Sequence, residues 1–321
     1  MALAERTQAF VQQQKRLRSI AYRILGNLQE AEEIVQEVYI QWHEISSREE
    51  VKSPGALLTT LTTRRSLDVL KSAAKQRETY RGPWLPTPIV TEWVESPQDS
   101  PEDFSGAFSK ADDPAVQLEL SQTLSTAFML LLERLSPLER AVFVLRQGFD
   151  LSYQDIANNV DQSAAYCRQL YQRAQRHIAG DQERFDVCPA DHKVFFNQFL
   201  EALANADITA IKDVLAEDAI SYSDGGGKAL AALRPIFGKD KVARLLIGLR
   251  NKVMSLVSVR LCTINNMPGL ILYDGQEAIN AISANIVSGK IQALYMMRNP
   301  DKLQHLKLDA SSGLVNGTSQ L

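Results

Sequence analysis

Hydrophobic and polar positions give the chain three successive textures. Up to about residue 80, apolar residues recur every three or four positions, the spacing of helices that bury one face. Residues 3–25 read as an amphipathic helix ending at Leu25-Gly26. Asn27 suits the N-cap of the next helix, with Glu30 at the capping-box position. Ala31, Ile34, Val35, Val38 and Trp42 supply that helix's apolar side. A further helix follows Ser53-Pro54, with Leu57, Leu61, Leu67 and Leu70 spaced for a core. From residue 115 the helical period returns. Leu118, Leu124, Phe128, Leu131 and Leu135 point inward on a helix over 115–135.

Three short helices follow between Leu135 and Ile178. Ser136, Pro137 and Glu139 make a capping box with proline at the first helical position, and the helix is expected to stop near Gly148. Ser152 opens the second helix, in which Tyr153, Ile156, Ala157 and Val160 share a face. Asp161-Gln162-Ser163 is a polar turn, and Ser163 can cap the third helix. Cys167, Leu170, Tyr171, Ala174 and Ile178 form that helix's buried stripe. Its outer face carries Tyr166, Gln169, Arg173 and Arg176, flanked by Arg168 and Gln172, and no acid. This is a helix-turn-helix pattern. Arginine pairs with guanine edges or phosphates, and glutamine with adenine.

From Asp191 the texture changes again. Two helices with a turn at Asn205-Ala206-Asp207 precede the glycine run Ser223–Lys228 and a helix over 240–251. Residues 253–297 then alternate apolar and polar, with turns at Asn265-Asn266, Asp274-Gly275 and Ser288-Gly289. That pattern predicts an antiparallel sheet, so helices first and strands later give an α+β domain. The segment 309–321 is small and polar and reads as a disordered tail.

Charge sharpens the first texture. Glu30, Glu32, Glu33, Glu37 and Glu44 make one helix acidic, and Arg64, Arg65, Lys71, Lys75, Arg77 and Arg81 make the next one basic. Acidic residues suit a basic protein partner, and a basic helix suits phosphates. Between 82 and 114 lie six prolines, Pro83, Pro86, Pro88, Pro97, Pro101 and Pro114, which mark a linker. Yet Tyr80, Trp84 and Trp93 place large aromatics there, as a linker docked on a neighbouring domain would.

The overall composition bounds the rest. The chain's 321 residues, 45% of them hydrophobic, suffice for two or three packed domains. No 18-residue apolar run is present, so no membrane contact is expected, and no leader is evident. Cys167, Cys188 and Cys262 form no metal pattern, which fits a reducing, cytoplasmic protein without metal or other cofactor. The formal net charge of −3 makes any DNA contact local or shared with a partner.

Several phrases carry a family resemblance. LSPLERAVFVLR, LSYQDIA and CRQL resemble region 4 of the extracytoplasmic-function (ECF) RNA polymerase sigma factors, which reads the −35 promoter element. AEEIVQEV resembles region 2 of the same factors, which packs on the polymerase clamp. GPWLP, DGGGK and NPDKL resemble the SigJ-like subgroup, whose factors carry a fused SnoaL-like domain. The chain departs from the family at Asp161, where the turn often has glycine, and at Thr87, where an acid is usual.

The resemblance implies a multidomain chain. Residues 1–80 would be all-α region 2, 81–114 the linker and 115–180 region 4. Residues 186–308 would be a cone-shaped SnoaL-like α+β domain with a curved antiparallel sheet. It implies core polymerase, through the clamp of its β′ subunit, and promoter DNA as partners. Glu32, Glu33, Gln36 and Glu37 become the polymerase-facing set. Thr59, Thr63, Arg64, Arg65, Lys71 and Lys75 become the −10 set. Ser163, Tyr166, Arg168, Gln169, Gln172, Arg173 and Arg176 become the −35 set. Tyr80, Trp84 and Trp93 are expected to meet Asp224, Gly225, Gly226, Gly227 and Lys228, with Asn299, Pro300, Asp301, Lys302 and Leu303, in a regulatory interdomain contact. The glycine run and Lys228 could also cradle an anion.

Catalysis is not expected, because His192 and His305 read as structural and no Asp/His pair has defensible spacing. An unknown small-molecule ligand in the last domain stays open. So does a second class: a helix-turn-helix repressor or sensor fused to a small-molecule pocket with isomerase-like activity. The acidic-then-basic helix pair argues for the sigma factor, because a repressor needs no polymerase contact.

Overall fold

Capping residues set where the helices begin. In the computed structural model, which describes residues 3–45, 51–77, 79–93, 125–179, 189–253 and 257–308, Asn27 accepts from Gln29 N at 3.1 Å and opens α2 (Leu28–Glu44) after α1 (Leu3–Leu25). The third helix, α3, spans Pro54–Arg77. After α4 (Thr126–Leu132), Ser136 and Glu139 complete the capping box of α5 (Pro137–Phe149). Ser152 caps α6 (Tyr153–Val160), and Ser163 Oγ accepts from Tyr166 N at 3.2 Å beneath α7 (Ala164–Ala179).

The helix expected over 115–135 is shorter where it is described. It ends at Leu132 and turns into Ser136, while residues 115–124 lie outside the described residues. The stop expected near Gly148 holds to within one residue. α5 runs through Gly148 to Phe149, and Asp150 takes the left-handed cap conformation at φ 47°. Gly148 serves packing instead: a Cβ there would lie 2.4 Å from Arg23 Nη1, which donates to its carbonyl at 3.1 Å.

These helices, with α4 contributing from Met129 onward, form one unit, residues 1–79 with 129–181. Of the expected stripes, Ala31, Ile34, Val35, Val38, Trp42, Leu67, Leu70, Ile156 and Leu170 are buried, while Leu57 and Leu61 are half-buried and Leu58 takes the core position beside them. The helix-turn-helix of α6 and α7 packs on α5, and α3 lies against α5 and α6.

The second unit takes residues 80–128 and 182–321. Helices α8 (Pro189–Ala204), α9 (Ile208–Val214) and α10 (Lys239–Val253) pack on a sheet through Phe199, Ile211, Val242 and Leu246. Its strands are β1 (Val90–Trp93), β2 (Leu215–Asp224), β3 (Ile236–Phe237), β4 (Ser258–Ile264), β5 (Met267–Asp274), β6 (Glu277–Val287) and β7 (Lys290–Met297). Their order is β1-β4-β5-β6-β7-β2-β3.

The sheet differs from the expectation in two ways. It is mixed, not wholly antiparallel, because β2 enters after a helix and runs parallel to β7. A parallel neighbour needs such a long crossover, and α10 with β4–β6 supplies it. The other difference is that the first described part of the Pro-rich linker is a component of this unit. Val90–Trp93 adds an edge strand antiparallel to β4, with Trp93 opposite Cys262. Alternation alone could not show this, because a four-residue strand amid prolines has almost no period to read.

Candidate promoter-binding surfaces and the linker dock

The acidic face of α2 is solvent-exposed at Glu32, Glu33, Gln36 and Glu37, and Tyr39 and Ile40 extend it as exposed apolar side chains. Two of the acids already have cationic neighbours. Glu32 lies 3.7 Å from Arg18, and Glu37 accepts from Arg65 at 2.6 Å. The Glu37–Arg65 pair links the expected polymerase-facing helix to the expected DNA-facing one. Both side chains are about half exposed, so it adds little stability.

The candidate set on α3 divides. Arg65 and Lys71 are exposed, and the side chain of Lys75 lies outside the described residues. Thr59 and Thr63 are buried, at 4% and 0% exposure, and Thr59 Oγ1 donates back to Gly55 O at 2.8 Å. A buried threonine that bonds within its own helix offers nothing to DNA in this arrangement. Neighbouring positions of α3 meet α6. Thr60 Oγ1 donates to Asn159 Oδ1 at 2.6 Å. Arg64 donates through Nη2 to Asn158 O at 3.0 Å and through Nε to Asn159 O at 3.3 Å. The last carbonyls of a helix lack intrahelical partners and carry the negative end of its dipole, so a guanidinium suits them. Arg64 thus caps α6, the first helix of the helix-turn-helix.

On α7 the expected set stays together. Ser163, Tyr166, Arg168, Gln169, Gln172, Arg173 and Arg176 are all exposed, while Cys167, Leu170, Ala174 and Ile178 are buried. Tyr171, expected in the buried stripe, is half-buried and donates to Gln147 Oε1 at 2.8 Å. Arg168 stacks over the Tyr153 ring at 5.0 Å, which holds its guanidinium beside α6.

In the second unit, the aromatic linker residues meet the two loop phrases around one buried carboxylate. Asp224, at the end of β2, is fully buried. Its Oδ1 accepts from the Tyr80 hydroxyl at 2.6 Å and from Gly226 N at 3.0 Å. Its Oδ2 accepts from Leu85 N at 2.9 Å and from Lys302 Nζ at 2.8 Å. Lys302, also buried, donates to Leu85 O at 2.6 Å and sits 4.2 Å from the Trp84 ring centroid. Asn299 Nδ2 donates to the Tyr80 oxygen at 3.0 Å. Burial, reinforced by the hydrogen bond to Asp224, raises the Tyr80 hydroxyl well above the usual tyrosine range. It therefore stays a donor. An ion pair this deep survives because each partner's remaining hydrogen-bonding sites are filled.

The glycine run is satisfied from within. A Cβ on Gly226, at φ 59°, would lie 2.3 Å from Asn299 Nδ2, so the loop and the Asn299 turn can pack together only with glycine there. A Cβ on Gly225 would meet Ala229 O at 2.3 Å. Lys228 N and Ala229 N turn back to Gly225 O. Lys228 makes an exposed pair with Asp301 at 2.6 Å, outside the buried cluster. Pro300 is exposed and Leu303 buried. Lys302, seen in the sequence only as part of a phrase, is the cation that matters here. The side chain of Trp93 lies outside the described residues.

One residue at this dock was read only as a turn. Asn265, fully buried, bonds to the linker at Ile89 through its backbone and its side chain, each at 2.8 Å. It also donates to Thr126 Oγ1 at 3.2 Å. Both partners are more than a hundred positions away, and no local signal in the sequence marks them. His305, expected to be structural, places Nε2 2.8 Å from Pro88 O. Among the described residues no group of His, Cys, Asp and Glu could hold a metal ion, and no helix is long and apolar enough to cross a membrane.

Comparison with known proteins divides the chain along the same lines. The family model for sigma-70 region 2 matches residues 10–76, and that for sigma-70 region 4 matches 125–178. Over 300 residues the chain is 33% identical to the ECF RNA polymerase sigma factor SigJ of Mycobacterium tuberculosis, covering 89% of each. It is 28% identical over 296 residues to the probable ECF RNA polymerase sigma factor SigI of the same species, covering 92% of this chain and 93% of that one. The crystal structure of M. tuberculosis SigJ superposes with a TM-score of 0.68 at 30% identity, covering 90% of this chain and 95% of that chain.

Proposed function

The chain belongs to the extracytoplasmic-function family of RNA polymerase sigma factors, and on that premise we propose that its C-terminal domain modulates promoter use by gripping the connection between regions 2 and 4. A sigma factor directs core polymerase to promoters for initiation and is not an enzyme. Its regions 2 and 4 bind core polymerase and promoter DNA.

The finer assignment follows the exposed surfaces. Glu32, Glu33, Gln36 and Glu37 face the clamp of the β′ subunit. Arg64, Arg65, Lys71 and Lys75 serve the −10 element, with Thr59 and Thr63 joining once they are uncovered. The exposed face of α7 reads the −35 element.

The observation that carries the regulatory reading is the Asp224–Lys302 pair closed around Tyr80, Trp84 and Leu85. Because those residues directly follow region 2, a domain that holds them constrains how region 2 departs from region 4. The tie is intramolecular, so its effective concentration is high and a modest contact suffices. A contact that prefers the released state shifts the balance.

The same domain is a candidate for a small polar ligand. Ser221 Oγ and Asn280 Oδ1 are buried without hydrogen-bond partners among the described residues, a state that usually has an explanation.

The test is run-off transcription with core enzyme, together with small-angle scattering, for Trp84→Ala and for a chain truncated after Gly180. Altered output and altered separation of regions 2 and 4 are expected. Wild-type behaviour of both proteins would overturn the regulatory reading.

A further inference from the structure

We propose that Asn265 is a positioning residue that pinches the connection between regions 2 and 4 into a closed loop, and so limits how far the two regions can part. The inference rests on the sigma-factor reading above.

Asn265 and Asn266 are the two-residue loop joining β4 to β5, with φ of 47° and 56°. Such a hairpin needs positive φ at both positions, which glycine and asparagine tolerate. Glycine would therefore serve the turn, and the buried amide of Asn265 is free for another task. Its three hydrogen bonds go to two places. The backbone N–H donates to Ile89 O and Oδ1 accepts from Ile89 N, each at 2.8 Å. With Oδ1 held by that N–H, Nδ2 faces the other way and donates to Thr126 Oγ1 at 3.2 Å.

Ile89 and Thr126 lie on opposite sides of the connection. The first side is reinforced where Val90 pairs with Ile264 and His305 meets Pro88. The second is reinforced by the burial of Thr126 and Ala127. Whatever path residues 94–124 take, their two ends are brought to one side chain.

The effect on reach is large. At about 3.4 Å per residue, an extended chain from Thr79 to Met129 could reach on the order of 170 Å. With Ile89 and Thr126 joined, only the short segments outside the pinch count, which leaves on the order of 45 Å. The closed clasp thus sets a ceiling on the separation of the two promoter-binding regions.

Two variants isolate the clasp. Asn265→Gly keeps the turn and deletes the amide. Thr126→Val is isosteric and releases only the second end. Each is compared with wild type in transcription by core enzyme from promoters whose −35 to −10 spacing is lengthened one base pair at a time. Both variants are expected to tolerate longer spacers, with output about tenfold above wild type at the longest active spacing, as loosening a tether allows. Melting temperature of Thr126→Val is expected to fall modestly, because the buried Asn265 amide loses its acceptor, while core affinity stays near wild type, a combination that a merely structural role would not predict alongside a broadened profile. Spacing profiles identical to wild type in both variants would overturn the clasp. Failure of wild type and variants alike to initiate at any spacing would overturn the sigma-factor reading beneath it.

Discussion

The contacts at α3 and at the linker dock both tie distant parts of the chain together, but with different chemistry. At the dock, a fully buried Asp224 and Lys302 neutralise each other, and Tyr80, Leu85 and Gly226 fill their remaining hydrogen-bonding sites. At α3, Arg64 remains exposed and reaches only helix-end carbonyls, while Thr60 makes one side-chain bond. Opening the first removes the Tyr80, Leu85 and Trp84 partners that satisfy the buried Asp224–Lys302 pair. Opening the second exchanges hydrogen bonds with water at small net cost. The dock is therefore built to persist, and the α3–α6 contact is the one of the two that is built to part.

The largest effect should come from the dock. Lys302→Met leaves Asp224 without its cation, and we expect a loss of about 3–5 kcal/mol in the stability of the C-terminal unit. Denaturant titration of the full chain measures it. Pairing the change with Asp224→Leu should recover much of the loss, because a matched apolar pair strands no charge. A double variant no better than the single would show that the ion pair is not the source of the dock's strength.

How much of this contrast was legible in advance depends on the range of the interactions. The stripe on α7 was readable because helical periodicity is local, and Arg168, Arg173 and Arg176 are exposed as that period requires. Ser136 and Glu139 formed the expected box for the same reason. The burial of Thr59 and Thr63 was not legible, because it comes from packing that no local window contains. Asn265 read as a turn, which it is; its partners at Ile89 and Thr126 are set by the sheet's closure around the linker. The mixed sheet was missed because alternation reports which face is buried and not which neighbour runs parallel.

Next in size is the proposed reading face of α7, which is exposed, with Arg168 stacked on Tyr153. Arg168→Ala and Arg173→Ala should each lower −35-dependent transcription by about 1–3 kcal/mol where the arginine pairs bidentately with a base. Loss spread evenly over all promoter sequences would assign that arginine to phosphate instead. Full activity in both variants would remove α7 as the reading helix.

On α2, the double reversal Glu33→Lys with Glu37→Lys should weaken core association about tenfold, or roughly 1.4 kcal/mol. Stability should change by less than about 1 kcal/mol, since Glu37 and Arg65 pair in solvent. A pull-down with core enzyme reads the first and thermal unfolding the second. Undiminished capture would exclude this face as the polymerase contact.

The smallest energetic effect carries the sharpest test of the contrast, because its two readouts should move in opposite directions. Asn159→Ala removes the bond to Thr60, worth about 0.5–1.5 kcal/mol. Thr60 is not orphaned, since Ala56 O lies 3.0 Å from its hydroxyl. If the contact masks α3, the free factor should lose a little stability and yet bind a single-stranded −10 oligonucleotide a few-fold tighter. The substitution adds no charge, so tighter binding cannot come from a stronger attraction to phosphates. It acts instead by raising the fraction of molecules in which Arg64 is released from α6. A fall in stability with unchanged oligonucleotide affinity would mean that α6 merely packs on region 2, and that the two contacts do not divide into one that holds and one that opens.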